Sequence, residues 1–255
     1  MESVPFYFGV GSELFGVYHP VASRADRGVL LCPPLGQDLI RSHRLYRQLA
    51  ESLAAQGMHV LRFDYYGTGD SAGDSAEIDW TRALADIGAA TSELYARSGC
   101  QQLVAFGARL GGSLALAAAA DGLFDGLVVW DAILDGAAHA TQLDAMQTLL
   151  RDDLNRFVRP RSVDDAADQW MGFAVTARWR QQVAAIQIAS APAQTVFLDS
   201  LPPGSQNEGA RLAITGAPVI KLQTPTLWDD LDRVEHAILS TELIRIATDR
   251  LQLAA

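Results

Sequence analysis

The sequence has few cysteines, no dense cluster of basic residues and no long hydrophobic run, and each of these absences excludes a class of protein. Cys32 and Cys100 are too few for a disulfide framework and lack the companions of a metal site, so both are expected to be reduced thiols. The formal net charge of −10, with Lys and Arg scattered along the chain, disfavours binding to nucleic acid or to anionic lipid. The first twenty residues lack the pattern of a signal peptide, and no stretch is long enough to cross a bilayer. We therefore expect a cytoplasmic protein that binds neither nucleic acid nor membrane.

The composition is that of a globular protein with a sizeable core. Hydrophobic residues make up 49% of the 255 residues and charged residues 20%, which is ordinary for a folded domain. No internal repeat or low-complexity linker divides the chain. A single domain over residues 1–255 is the expectation.

Short apolar segments alternate with longer helical patterns, which predicts a mostly parallel sheet of about eight strands with helices on both faces. An N-terminal hairpin, 5–10 with 13–18, is expected at the sheet edge. The other predicted strands are 28–34, 59–65, 102–107, 126–133, 194–199 and 218–224. The predicted helices are 42–56, 79–98, 110–120 and 236–253. Residues 136–188 are helical in character, lack a strand pattern and carry several aromatic residues, so they are interpreted as a helical cap insertion.

The segment 103–112 has the pattern of a strand, a tight turn and a helix of small residues. Gly107 and Gly111 have the spacing of the Gly-x-Ser-x-Gly nucleophile elbow, in which the cramped turn needs glycine. The middle position carries Arg109, which has no nucleophilic oxygen and stays charged. Covalent acyl-enzyme chemistry at residue 109 is therefore excluded.

Two further loops follow in the order of the same fold. Pro33-Pro34-Leu35-Gly36-Gln37 follows a strand where an oxyanion-hole loop is expected, and 64–71 has the form Asp-x-x-Gly-x-Gly-x-Ser. The third glycine of a dinucleotide-binding motif is out of register, so no nucleotide cofactor is predicted. His19, His43, His59 and His139 show no metal-ligand spacing, and no metal is predicted.

With these motifs the chain resembles the α/β-hydrolase superfamily and, within it, the exosortase A system-associated hydrolases and related proteins of biosynthetic gene clusters. The resemblance covers roughly residues 14–250. It implies that arginine at the elbow is a recurring variant with a retained, altered role. It also implies a catalytic role for His236, at the start of the last predicted helix, although a lone histidine there is otherwise a solvated or capping residue.

The acid that would orient His236 is harder to place. Asp199, at the end of a predicted strand, is the first choice, and Glu208, Asp131 and Asp135 are alternatives. A purely structural Asp199 that caps a loop is an interpretation of about equal weight to one in which Asp199 orients His236. The expected substrate contacts are Leu35, Gly36, Leu110 and Trp170.

Arg109 has two competing interpretations. Beside the backbone N–H groups of a helix N-terminus, it would form an anion site for a carboxylate, phosphate or developing oxyanion while His236 acts as base. Alternatively, Arg109 forms an internal ion pair with Asp131, Asp199 or another acid and leaves a retired site. Ser113 is expected to pack against the strand and Cys32 to be a buried thiol.

Two functions follow from these alternatives. The first is a hydrolase, cyclase or lyase that acts on a small acyl, ester or carboxylate intermediate of a biosynthetic pathway without a serine acyl-enzyme. The second is a catalytically inactive hydrolase-like protein that binds a ligand or a partner. The substrate, the reaction and the oligomeric state stay open, with a homodimer as one alternative.

Overall fold

A computed structural model of the chain describes residues 2–21, 25–153, 168–205 and 216–253. Its main feature is an eight-stranded sheet, with β7 and β8 forming a separate hairpin. The strands are β1 (Val4–Phe8), β2 (Leu14–His19), β3 (Arg27–Cys32), β4 (His59–Phe63), β5 (Gln102–Ala108), β6 (Gly126–Trp130), β7 (Gln169–Trp170), β8 (Phe173–Ala174), β9 (Thr195–Asp199) and β10 (Val219–Lys221). The helices are α1 (Gln37–Ala55), α2 (Trp80–Ser98), α3 (Arg109–Ala120), α4 (Gly136–Asp152), α5 (Ala177–Ala184) and α6 (Thr241–Leu253).

The sheet has the order β1-β2-β4-β3-β5-β6-β9-β10. The hairpin β1-β2 forms one edge, and β2 pairs with β4 in antiparallel orientation. The remaining neighbours in the sheet, β4-β3-β5-β6-β9-β10, pair in parallel. This confirms the predicted mostly parallel sheet with a hairpin at its edge. The central strand β5 is buried from Leu103 onward, as expected for a parallel strand covered on both faces.

Helices cover both faces of the sheet and enclose two hydrophobic cores. On one face α1 and α6 contribute Leu45, Leu49, Leu53, Leu243 and Leu251. On the other face α2 and α3 contribute Ile87, Leu94 and Leu114. Each such fully buried side chain stabilises the fold by roughly 1.5–3 kcal/mol relative to exposure.

Several element boundaries differ from the prediction, and three of these differences have a cause in the structure. Helix α1 begins at Gln37, five residues before the predicted start, because Gly36 (φ 61°) turns the chain directly out of the preceding loop. Helix α6 begins at Thr241, because Ile238 N donates to Arg41 O at 2.7 Å and holds the preceding segment against α1. Strand β6 ends at Trp130, because Asp131 has a left-handed φ of 46° that breaks the ladder.

The segment between β6 and β9 is not wholly helical in its described part, so the expectation of no strand there was wrong. It contains α4, the two-stranded hairpin β7-β8 and α5. The turn of the hairpin is Met171-Gly172, with φ of 51° and 92°, and positive φ at both positions is typical of a tight hairpin turn. The two strands have two residues each, which is too short for a strand pattern to be recognised in the sequence. Within the described ranges, no helix has the length and apolar character needed to span a bilayer.

Candidate functional site

The tight bend between β5 and α3 organises the site. Arg109 is the first residue of α3 and has a φ of 50°, a conformation that L side chains rarely adopt. A Cβ on Gly107 would lie 2.7 Å from Gly111 O, and one on Gly111 would lie 2.0 Å from Pro33 O. Glycine is therefore required on both sides of Arg109, as the motif predicted, and the start of α3 lies directly against the loop after β3.

The Arg109 side chain is buried and paired with acids. Only 2% of the residue is exposed. Its Nε donates a hydrogen bond to Asp38 Oδ2 at 3.0 Å, and its Nη2 lies 3.8 Å from Asp229 Oδ1. The guanidinium carbon also lies 5.2 Å from the centre of the Trp228 ring, within the range of a cation–π contact.

Burial and charge act in opposite directions on this pair. Burial alone would lower the pKa of Arg109, but the nearby carboxylates, Asp38 first, raise it above its ordinary value. Burial raises the pKa of Asp38, and the charge of Arg109 and its hydrogen bond offset part of that rise. Arg109 is thus a permanent cation whose charge is balanced by protein carboxylates.

A second buried carboxylate, Asp131, holds Trp228 against Arg109. Asp131 accepts hydrogen bonds from Ser200 N at 2.9 Å, from Ser200 Oγ and from Trp228 Nε1 at 2.9 Å. Burial raises the pKa of Asp131, and these hydrogen bonds act against that rise. Three donors on one carboxylate fix the indole, so the surroundings of the guanidinium are rigid.

A cavity lies beside this bend, beneath α4, the β7-β8 hairpin and α5. The space between its walls, counted together with the open solvent at its mouth, is about 490 Å³. Its walls are mainly apolar, with three polar side chains. The lining residues are Leu35, Gly36, Gln37, Asp38, Ile78, Leu110, His139, Leu143, Trp170, Met171, Phe173, Ala174, Val175 and Trp179.

The structure brings together the four residues predicted to contact substrate. Leu35 and Gly36 lie in the loop after β3, Leu110 is the second residue of α3, and Trp170 comes from the hairpin. Arg109 does not line this cavity among the described residues, but its partner Asp38 does. Of the Arg109–Asp38 pair, Asp38 is therefore the residue that borders the cavity.

The other two predicted catalytic residues lie elsewhere. His236 is exposed, between the 3-10 turn Leu231–Arg233 and α6, and borders a separate surface depression with Arg41 and Thr226. Asp199 ends β9, where its carboxylate accepts from Leu201 N at 2.9 Å and lies 3.3 Å from Lys221 Nζ. In the described part of the chain, neither residue borders the cavity that Leu110 and Trp170 line.

The alternative acids and nucleophiles have other surroundings. Asp135 caps α4 by accepting from Ala138 N at 3.0 Å, and Glu208 lies outside the described residues. Ser113 Oγ donates to Ile133 O at 2.5 Å and lies 3.2 Å from Arg109 O, which is the packing role expected of it. Cys32 is buried, and burial raises the pKa of its thiol to about 12, which keeps it from being a thiolate.

Sequence reasoning missed three residues of the site. Asp38 and Asp229 are the partners of Arg109, and neither stands near it in sequence. His139 lines the cavity from α4 and is 3% exposed. A weak signal for His139 existed, because it lies four residues after the helix cap Asp135, on the first turn of a helix that follows the carboxyl end of a parallel strand.

Comparison with known proteins agrees with this architecture. The sequence profile of the family described as serine aminopeptidase, S33, matches residues 39–188. No curated protein gives a significant sequence match.

Solved structures match over almost the whole chain. A thermostable carboxyl esterase from Bacillus coagulans, in complex with glycerol, is 16% identical with a TM-score of 0.65, over 99% of this chain and 98% of that one. DcsB in complex with its substrate analogue is 16% identical with a TM-score of 0.64, over 100% and 99%. The bottromycin epimerase BotH, in complex with bottromycin A2, is 17% identical with a TM-score of 0.58, over 100% of both chains. At these identities the likeness concerns the fold, and it confirms the predicted α/β-hydrolase fold.

Proposed function

We propose, from the premise that this chain belongs to the serine aminopeptidase S33 family, that it binds a small acyl-type molecule beneath α4, the hairpin and α5 and forms no covalent acyl-enzyme. One observation carries the proposal. Arg109 occupies the glycine-flanked bend at which this fold carries its nucleophile, and its guanidinium is buried against Asp38 at 3.0 Å. Arginine offers no attacking oxygen, so a bound ester would meet no nucleophile at this bend.

The cavity supports an acyl-type ligand. Leu110, Leu143 and Trp170 give it apolar walls, while Asp38 and His139 add a small number of polar groups. A mainly apolar cavity with a few convergent polar groups is typical of a small-molecule site. Leu110 also lies in the first turn of α3, whose free N–H groups favour a carbonyl oxygen or developing oxyanion.

A hydrolase-like enzyme is the first candidate. The family and the structural neighbours include hydrolases and esterases, and the resemblance to biosynthetic-cluster proteins favours an intermediate of a biosynthetic pathway as substrate. Without a covalent step, such an enzyme would act by acid–base catalysis on a bound ester or thioester. His236 and Asp199 stay the predicted acid–base residues, and neither borders this cavity in the described part of the chain.

A ligand-binding protein without activity is the second candidate, and one specific observation favours it. Asp38 and Asp229 neutralise Arg109 inside the protein, and the exposed His236 borders a different depression. An internally balanced cation needs no anionic substrate to be stable.

Binding of methyl hexanoate, followed by intrinsic tryptophan fluorescence, to which Trp170 and Trp179 of the cavity wall contribute, tests the proposal. Ala174 lines the cavity, whereas Ala137 is exposed at the start of α4. Ala174→Phe should weaken binding by about tenfold or more, and the matched control Ala137→Phe should leave it unchanged. Equal binding by both variants, or no binding by the wild-type protein, would contradict the proposal.

Turnover then separates the two candidates. Hydrolysis of methyl hexanoate that disappears in His236→Ala supports an enzyme that uses the predicted histidine. Binding without turnover supports the ligand-binding protein.

A further inference from the structure

His139 is a buried histidine, and one of its ring nitrogens has no hydrogen-bond partner among the described residues. It lies on the first turns of α4, is 3% exposed and lines the cavity opposite the bend that carries Leu110. Among the described residues, its Nδ1 is fully buried and has no hydrogen-bond partner. Leaving a buried polar atom unpaired destabilises a protein by about 1–3 kcal/mol, so a histidine kept only for packing would be a poor choice here.

Three other polar side chains at the cavity each make a hydrogen bond within the protein. Asp38 accepts from Arg109, Gln37 Nε2 donates to Val234 O at 2.6 Å, and Trp170 Nε1 donates to Asp144 Oδ1 at 2.7 Å. Among the described lining residues, His139 Nδ1 is the fully buried side-chain polar atom that has no hydrogen-bond partner. A polar group of a ligand would supply the missing partner.

Burial and the positive charge of Arg109 both lower the pKa of His139 well below its ordinary value of 6.5. The ring is therefore neutral near neutral pH, with one nitrogen that donates and one that accepts. A neutral ring offers a hydrogen bond but no ion pair.

We propose, on the basis of the function proposed above, that His139 is the hydrogen-bonding contact for an uncharged polar group of the ligand, the carbonyl or hydroxyl of an ester-type molecule. The charges around the cavity favour an uncharged ligand over a free carboxylate. Asp38 presents a carboxyl group to the cavity, and the nearby cation Arg109 is already paired with Asp38 and Asp229. A carboxylate ligand would lose its hydration without gaining a free cationic partner.

The test compares methyl hexanoate with the hexanoate anion on the wild-type protein, His139→Leu and His139→Gln. His139→Leu should weaken the binding of methyl hexanoate by about tenfold, the equivalent of one hydrogen bond. His139→Gln, which keeps a donor and an acceptor, should recover most of that loss. Wild-type protein should prefer the ester to the anion.

The melting temperature Tm distinguishes a ligand-binding histidine from a structural one, because replacing a structural histidine lowers Tm. Because Nδ1 has no partner among the described residues, His139→Leu should keep or raise Tm. His59 is a matched control: it is buried, and its Nδ1 is 2.6 Å from Tyr18 Oη. His59→Leu should lower Tm and leave methyl hexanoate binding unchanged.

Each outcome decides one claim. Equal binding of methyl hexanoate by the wild-type protein and His139→Leu overturns the role of His139 and leaves the proposed function standing. A preference for hexanoate overturns the uncharged ligand class. Failure of the wild-type protein to bind either compound overturns the proposed function and this inference together.

Discussion

Asp38 Oδ2 accepts a hydrogen bond from Arg109 Nε at 3.0 Å, and this contact joins the first turn of α1 to the first residue of α3. The Arg109 side chain is 3% exposed and that of Asp38 16%. Water therefore screens this ion pair far less than a surface pair. The same contact neutralises the cation at the bend and fixes a carboxyl group at the cavity wall.

Removing one partner of this pair should destabilise the protein more than removing both. Arg109→Met leaves Asp38 buried without its main partner, and we expect the free energy of unfolding to fall by about 3 kcal/mol. The double variant Arg109→Met with Asp38→Leu should regain much of that loss, because two apolar groups replace two charges. Urea denaturation of the single and double variants measures both changes. Additive effects of the two substitutions would show that the pair does not interact.

The glycines of the bend should be intolerant of alanine. A Cβ on Gly111 would lie 2.0 Å from the backbone oxygen of Pro33, so Gly111→Ala has to displace backbone and should lower stability by several kcal/mol or prevent folding. Gly88, in α2, has no atom within 4 Å of its ideal Cβ. Gly88→Ala should therefore stabilise the protein by about 0.5–1 kcal/mol. Thermal unfolding of both variants provides the comparison, and a soluble Gly111→Ala with wild-type Tm would refute the described bend.

Sequence patterns predicted the bend because backbone atoms, and not particular side chains, require its glycines. Gly107 is required by the backbone of Gly111 and Gly111 by the backbone oxygen of Pro33, and such a requirement leaves a fixed spacing in the sequence. The partner of Arg109 could not be predicted, because Asp38 is 71 residues away and several acids were eligible. His139 was missed for a related reason. Its chemistry depends on burial and on the lack of a partner in its surroundings, and neither property is written in the spacing of residues.

The pH dependence of stability should report on His139. Its folded-state pKa is depressed by burial, so below about pH 6.5 the unfolded chain takes up a proton that the folded protein does not. The neutral imidazole therefore makes wild-type protein lose stability as pH falls, and His139→Leu lacks this loss. Other groups titrate too, including His19, whose pKa burial lowers to about 4, and Asp38, whose pKa is raised.

The contributions of these other titrating groups largely cancel when His139→Leu is compared with the wild-type protein at each pH. Between pH 7.5 and 5.5 the difference in unfolding free energy should shift in favour of His139→Leu by up to about 1.4 kcal/mol. Urea denaturation at the two pH values measures this shift. A shift in favour of the wild-type protein would mean that the folded protein protonates His139 readily.

The absence of covalent catalysis at the bend is the central claim, and intact-mass spectrometry tests it most directly. The protein is incubated with p-nitrophenyl hexanoate, with a serine esterase treated in parallel as a positive control, and quenched during the first turnovers. Arg109 has no attacking oxygen, and Ser113 Oγ donates its hydrogen bond to Ile133 O. We therefore predict unmodified protein and no burst of p-nitrophenol. A hexanoyl adduct formed in stoichiometric amount and mapped to α3 or the loop after β3 would contradict the account.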